Sequence, residues 1–164
     1  MNAKYFIEKF NLEKHPEGGY YKRTYRSKIR INKQNLPYHN DDRHCQTAIY
    51  YLLEAGNVSK FHRLKSDEIW FFHYGNSLVI YTLSKQGEII KQKLGSDINK
   101  GENFQILIPA HTWFAAEAFG KSSFSFVSCT VAPGFDFEDF EIAEKSKICN
   151  KFPELLKFDE KFFK

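Results

Sequence analysis

His62 and Glu68 are the two side chains in this sequence best placed to do chemistry together. They stand six residues apart, and Gly75 follows seven residues after the carboxylate. The turn signal Lys65-Ser66-Asp67 divides the run into two β-prone segments, residues 59–64 and 68–74. Antiparallel strands joined there project His62 and Glu68 into one cavity. An imidazole facing a carboxylate is half of a metal site or a general acid/base pair, and it is equally a common structural pair within a sheet. Glu68 is the stronger candidate. A strand carboxylate beside Trp70 and Phe72 is desolvated, which raises its pKa towards values useful for proton transfer.

Other side chains are candidates for holding a ligand. Trp70 and Trp113 offer aromatic walls, and Glu117 shares a strand face with Trp113 if residues 112–118 alternate. Gln46 and Thr47 open a long strand, and only one of them can face a cavity; Gln46 is taken as the ligand contact. Tyr20 follows the paired glycines Gly18-Gly19 and can place a phenol over a barrel mouth. His73 alternates to the face opposite Glu68, and Cys129 reads as a small buried hydrophobe with nothing nearby to activate it.

The elements that must position these groups are mostly strands. Residues 2–11 carry apolar side chains at helical spacing, and His15-Pro16-Glu17-Gly18-Gly19 forbids helix continuation. Strands are expected at 20–26, 46–54, 59–64, 68–74, 78–84, 88–94, 103–108, 112–118 and 124–131. Gly-bearing turns lie at 55–57, 74–76 and 119–121, the spacing of a sandwich or barrel. Residues 27–44 read as a long polar loop, and 136–147 and 153–163 as helical tail. One domain, residues 1–164, is the simplest organisation. Ile69, Phe71 and His73 form one strand face and Glu68, Trp70, Phe72 and Tyr74 the other, so both faces need cover. Either terminal helices or a second subunit supplies it; a homodimer, with the N-terminal region contributing, is the expectation.

Composition excludes several classes of function. The net charge of +4 comes from 24 basic and 20 acidic residues that are interleaved along the chain, which describes a solvated surface and not a nucleic-acid footprint. No apolar run is long enough to span a bilayer, and the amphipathic N-terminus lacks a signal-peptide core. Three cysteines, widely spaced and without a CxxC, point to reduced thiols and a cytoplasmic protein.

The spacing His62…Glu68…Gly75 resembles the first motif of the cupin superfamily, whose fold is a double-sheet jelly roll. His15-Pro16-Glu17-Gly18-Gly19-Tyr20-Tyr21, Thr47–Leu53 as Thr-Ala-Ile-Tyr-Tyr-Leu-Leu, His62 through Trp70, Pro109-Ala110 with Trp113, and Cys129-Thr130-Val131-Ala132-Pro133-Gly134-Phe135 narrow it. They are similar to the small cupin-5 family of unassigned activity. The resemblance implies an all-β fold, a cupin double-stranded β-helix with short N- and C-terminal helices, related to sugar-nucleotide epimerases and usually dimeric. It supplies no reaction.

Departures from the pattern matter as much. Metal-binding cupins usually carry His-x-His before the glutamate; here Leu64 stands at the second position. The second motif usually reads Pro-x-Gly-x-x-His; here His111 replaces the glycine and Phe114 the ligand. No metal and no cofactor is therefore expected, unless His111 or His73 turns inward. The leading expectation is a barrel pocket for a small, carbohydrate- or nucleotide-derived ligand, with isomerase- or epimerase-type acid–base chemistry by Glu68 and His62. The alternatives are a non-catalytic small-molecule-binding or sensing module and a metal-dependent cupin enzyme.

Overall fold

A computed structural model of the chain describes residues 1–119 and 124–164. The elements run α1 (Ala3–Lys9), β1 (Glu13–Lys14), β2 (Tyr20–Arg26), β3 (Arg30–Ile31), β4 (Arg43–His44), β5 (Thr47–Glu54), β6 (Val58–Leu64) and β7 (Asp67–Gly75). They continue with β8 (Leu78–Leu83), β9 (Ile89–Leu94), β10 (Glu102–Asn103), β11 (Gln105–Ile108), β12 (Phe114–Ala118), β13 (Phe124–Ala132), β14 (Phe140–Ile142) and α2 (Lys145–Lys151). Two sheets face each other, ordered β1-β2-β5-β13-β7-β11 and β10-β9-β8-β12-β6-β14, and β3 pairs with β4 apart from both. This is a jelly roll, mostly β, with two short helices. The expected turn at 119–121 lies partly outside the described residues.

Alternation decides what fills the space between the sheets. Tyr51 and Leu53 from β5, Trp70 from β7, Val127 and Cys129 from β13 and Phe114 and Ala116 from β12 meet there, all nearly inaccessible. The outer faces are covered from the chain's ends. Asn2 caps α1 by accepting a hydrogen bond from the Tyr5 N–H at 3.0 Å. The helix then lays Phe6 and Phe10 on Leu52, Phe124 and Phe126 of the first sheet. On the second sheet Ile148, Cys149, Leu155, Phe162 and Phe163 pack over Phe61, Tyr81 and Ala115.

One expectation needs correcting. Residues 136–147 are not one helix: a short 3-10 turn at Phe137–Asp139 leads into β14, which pairs with β6, and α2 begins only at Lys145. An edge of β6 open to pairing outweighs the weak helical pattern there. The terminal segments supply part of the cover that the outer faces need. α1 lies on its own chain's sheet, while Ile69 and Phe71 stay half-buried and Leu107 is 52% exposed.

The loop 27–44 is ordered by a buried ionic clasp. Arg43 donates to both carboxylate oxygens of Asp139, at 2.6 and 2.9 Å. Lys65 Nζ lies 3.3 Å from the same carboxylate, and His39 Nε2 is 2.9 Å from Ser66 Oγ. The clasp ties the loop to the segment that precedes β14. His111 sits in the left-handed region at φ 63°, exposed and edge-on to Tyr38.

Candidate active site

A cavity of about 50 Å³ lies between the sheets, walled by β2, β5, β6, β7, β13 and β14 and by the 15–17 turn. His62, Glu68 and Trp70 all line it. Glu68 is 7% exposed and His62 2%. The ring of His62 is packed between Phe114, centroid to centroid 4.0 Å, and Phe140 at 5.4 Å.

The partner of His62 is Glu17. His62 Nδ1 donates to the Lys60 carbonyl at 2.6 Å, which leaves Nε2 facing Glu17 Oε2 at 3.3 Å. Glu17 Oε2 also lies 3.3 Å from His15 Nδ1, and that nitrogen accepts from the Glu17 backbone N–H at 3.4 Å. The carboxylate oxygen thus looks at two nitrogen lone pairs, so a proton between Glu17 and one of the two imidazoles relieves the contact. Burial pulls the His62 imidazole down to about 4, although its bond to Lys60 opposes this. Burial also pushes the Glu17 carboxyl up, against His15, Ser59 and Tyr51, which favour its charge. Both shifts favour the uncharged forms, a protonated Glu17 facing a neutral His62. Ser59 Oγ donates to Glu17 Oε1 at 2.9 Å and fixes the carboxyl's orientation.

Glycine geometry delivers Glu17. Gly18 and Gly19 adopt φ of 117° and 68°. A Cβ on Gly18 would collide with the Val58 carbonyl, and one on Gly19 would meet the Leu52 carbonyl at 2.7 Å. The turn can therefore lie directly on β5 and β6. Lys60 N–H donates to the Glu17 carbonyl at 2.9 Å, and Tyr51 Oη donates to the Gly18 carbonyl at 2.8 Å, pinning the backbone.

Glu68 has a different environment. Burial, the dominant cause, pushes its carboxyl up to about 8, with the Glu17 carboxyl adding to the rise in its ionised form. The Trp70 indole and the Cys129 thiol lie against this carboxyl and favour its charge, opposing the burial. Among the described residues neither Glu68 Oε2 nor Trp70 Nε1 completes a hydrogen bond of good geometry. Cys129 lines the same wall, and burial raises its thiol well above the ordinary value, so it is no nucleophile.

The remaining expected contacts lie elsewhere. Gln46 is exposed, and its neighbour Thr47 lines the cavity. Tyr20 packs with the α1 cluster, and Tyr21 lines the cavity instead. Trp113 and Glu117 do share a face, but it is the outer one. Trp113 lies under the Arg63 guanidinium at 4.6 Å, and Glu117 binds Lys161 at 3.0 Å. His15, Glu17, Phe135 and Phe140 were not anticipated as site residues, while Thr47 and Tyr21 are the neighbours of the two residues chosen. The available signal was an ionisable pair, His15 and Glu17, set beside two glycines.

The side chains present do not fit a cupin metal. Leu64 and Phe114 occupy two expected ligand positions, and both are buried hydrocarbon. His62 has committed Nδ1 to Lys60 and Nε2 to Glu17. His73 lies on the outer face, 2.8 Å from Ser128 Oγ, and His111 is exposed. Among the described residues no group of three or more His, Cys, Asp or Glu has metal-holding geometry.

Comparison with known proteins agrees with this architecture. No helix among the described residues is long and apolar enough to cross a membrane. An uncharacterised protein of Saccharomyces cerevisiae, YML079W, is 32% identical over 143 residues, covering 81% of this chain and 71% of the yeast protein. The crystal structure of protein SO0799 from Shewanella oneidensis superposes with a TM-score of 0.87 at 38% identity, covering 100% of this chain and 98% of that one. A hypothetical protein from Leishmania major gives 0.85 at 31%, with 94% of each chain covered. Residues 4–143 match the Cupin_5 family model, described as cupin superfamily (DUF985), and with that match over most of its length and a shared fold with these relatives, the chain belongs to that family.

Proposed function

We propose that the protein is a metal-independent proton-transfer enzyme of the isomerase or epimerase type, acting on a small molecule held in the barrel cavity. One observation carries this reading. A buried carboxyl, Glu68, one of whose oxygens completes no hydrogen bond of good geometry, shares a cavity with a second acid–base pair, Glu17 and His62, whose oxygen and Nε2 face each other at 3.3 Å. Two groups of opposite readiness to give and take a proton are what enolisation beside a carbonyl needs. Glu68 in its ionised form takes a proton from carbon, and the Glu17–His62 pair supplies one to the developing oxyanion. Low polarity around the cavity strengthens both contacts. Family relatives are uncharacterised and lend no reaction.

A thermal-shift panel of sugars, nucleotides, nucleotide sugars and small hydroxycarbonyl compounds identifies ligands, since binding to the native state raises the melting temperature. Each hit is then followed by proton NMR in D2O. Exchange of carbon-bound hydrogen in the unmodified protein, abolished in Glu68→Gln with binding retained, is the expected result. Ligands that bind without any exchange or conversion would make the protein a binding module.

A further inference from the structure

We infer that the substrate is a small, uncharged α-hydroxyaldehyde or α-hydroxyketone, and not a phosphate ester, nucleotide or carboxylic acid. The inference rests on the proton-transfer reading above and adds the ligand's size, charge and functional groups. At about 10–15 Å³ per water-sized sphere, a 50 Å³ cavity holds about four waters, or a compact molecule of about four to six non-hydrogen atoms. Sites for drug-sized or nucleotide-sized ligands are several times larger, at about 300 Å³ and above.

Charge is decided by what lines the space. Two carboxyl groups, Glu17 and Glu68, face it, and none of the thirteen lining residues is Lys or Arg. An anion placed there would be stripped of water beside two acids with no cation to compensate. The nearest clasp cation, Arg43, is committed to Asp139 through both carboxylate oxygens. An uncharged ligand meets no such penalty.

Functional groups follow from the atoms whose hydrogen bonding is incomplete. The Trp70 indole N–H can only donate, and beside Glu68 it completes no hydrogen bond of good geometry, so an oxygen acceptor on the ligand can take it. Glu68 Oε2 faces the carbon that loses its proton. A carbonyl oxygen on Trp70 with an adjacent hydroxylated carbon toward Glu68 uses both. The step then balances without any further reagent. The Glu68 carboxylate takes the C–H proton, the C–H electron pair becomes the C=C bond of an enediol, and the former carbonyl oxygen takes the proton held by Glu17 and His62. In the return, the neighbouring hydroxyl gives its proton to that pair as it becomes the new carbonyl, and Glu68 protonates the other carbon.

The chain has two tryptophans, Trp70 in the cavity and Trp113 outside it, so nitrogen-15 labelling yields two indole signals with a built-in control. Titration with dihydroxyacetone is expected to move the Trp70 signal alone, in the unmodified protein and in Glu68→Gln. Dihydroxyacetone phosphate is expected to bind about tenfold or more weakly. In D2O the unmodified protein should exchange carbon-bound hydrogen and produce glyceraldehyde, and Glu68→Gln should do neither. Equal or tighter binding of the phosphate ester overturns the charge argument. Movement of neither indole, or of both equally, overturns the placement and size. Selective binding of dihydroxyacetone without exchange upholds the ligand class and overturns the proton-transfer reading instead. An unchanged Trp113 signal in Glu68→Gln verifies that the variant is folded.

Discussion

Replacing Glu68 by Gln should change how folding stability depends on pH, by an amount the cavity allows one to work out. The Glu68 carboxyl titrates near 4.5 when exposed in the unfolded chain and at about 8 in the fold. Between those values the native state keeps a proton that the unfolded state has lost. Stability from this group is therefore full below pH 4.5 and falls as pH rises, until the folded carboxyl ionises near 8. Integrated from pH 6 to pH 8, the loss is about 2 kcal/mol. His62 runs the other way, from 6.5 unfolded to about 4 folded, so its burial costs stability at low pH and the cost disappears as pH rises to 6.5. Above 6.5 His62 contributes no slope. Glu17 is also raised and adds to the decline, so the informative quantity is the difference between the two proteins. Gln keeps the shape of Glu and abolishes its titration. Urea unfolding at pH 6 and pH 8 should show the variant gaining about 2 kcal/mol on the unmodified protein between the two. Curves that stay parallel would refute both the burial of Glu68 as a neutral acid and its assignment as a base held in reserve.

The same reasoning gives turnover a pH profile that climbs until about pH 8, because only ionised Glu68 can accept the proton; a rate flat between pH 6 and 8 would count against it. Gly18→Ala should lower stability by roughly 1–3 kcal/mol and abolish turnover together, since a Cβ at φ 117° against Val58 displaces the turn carrying Glu17; thermal melts and assays read both. Arg43→Gln should cost up to about 3 kcal/mol by leaving the buried Asp139 with Lys65 as its remaining cationic partner, with the double variant Arg43→Gln/Asp139→Asn losing less than the two single losses combined in urea titrations. For assembly, we propose a homodimer through the outer face of the first sheet. Ile69, Phe71 and the 52%-exposed Leu107 remain there beyond the reach of α1, and a twofold contact lets one such face cover its copy. Light scattering should give twice the chain mass, reverting to a monomer in Phe71→Glu; a monomeric unmodified protein would show that α1 suffices.

The sheets were legible because alternation and glycine-bearing turns are local signals. Strand expectations from 20–26 to 124–131 fall within two residues of the observed elements at nearly every boundary. What alternation cannot supply is absolute parity, meaning which of two neighbouring residues points inward. Tyr20 and Gln46 were taken for cavity contacts, and the cavity instead takes Tyr21 and Thr47, each one residue further along. A register shift in β2 between Arg23 and Tyr25 shows why strand parity cannot be carried along by counting. Trp113 and Glu117 fail for the converse reason. Their shared face is correct, yet it is turned outward, because Phe114 and Ala116 fill the space between the sheets. Glu17 was hidden by a deeper ambiguity. In sequence, Pro16 and the glycine pair signal a turn, and turns are expected at the surface. Only the absence of a Cβ at Gly18 and Gly19 lets this one press against β5 and β6, so the residues that mark it as a loop are also those that carry its carboxyl into the core. His62 and Glu68 could be paired from spacing, but the partner of His62 comes from 45 residues away. A contact of that separation is fixed by sheet topology, and its acid–base consequence, a buried carboxyl facing an imidazole with a second buried carboxyl, Glu68, in the same cavity, exists only once β2, β6 and β7 have closed around the same space.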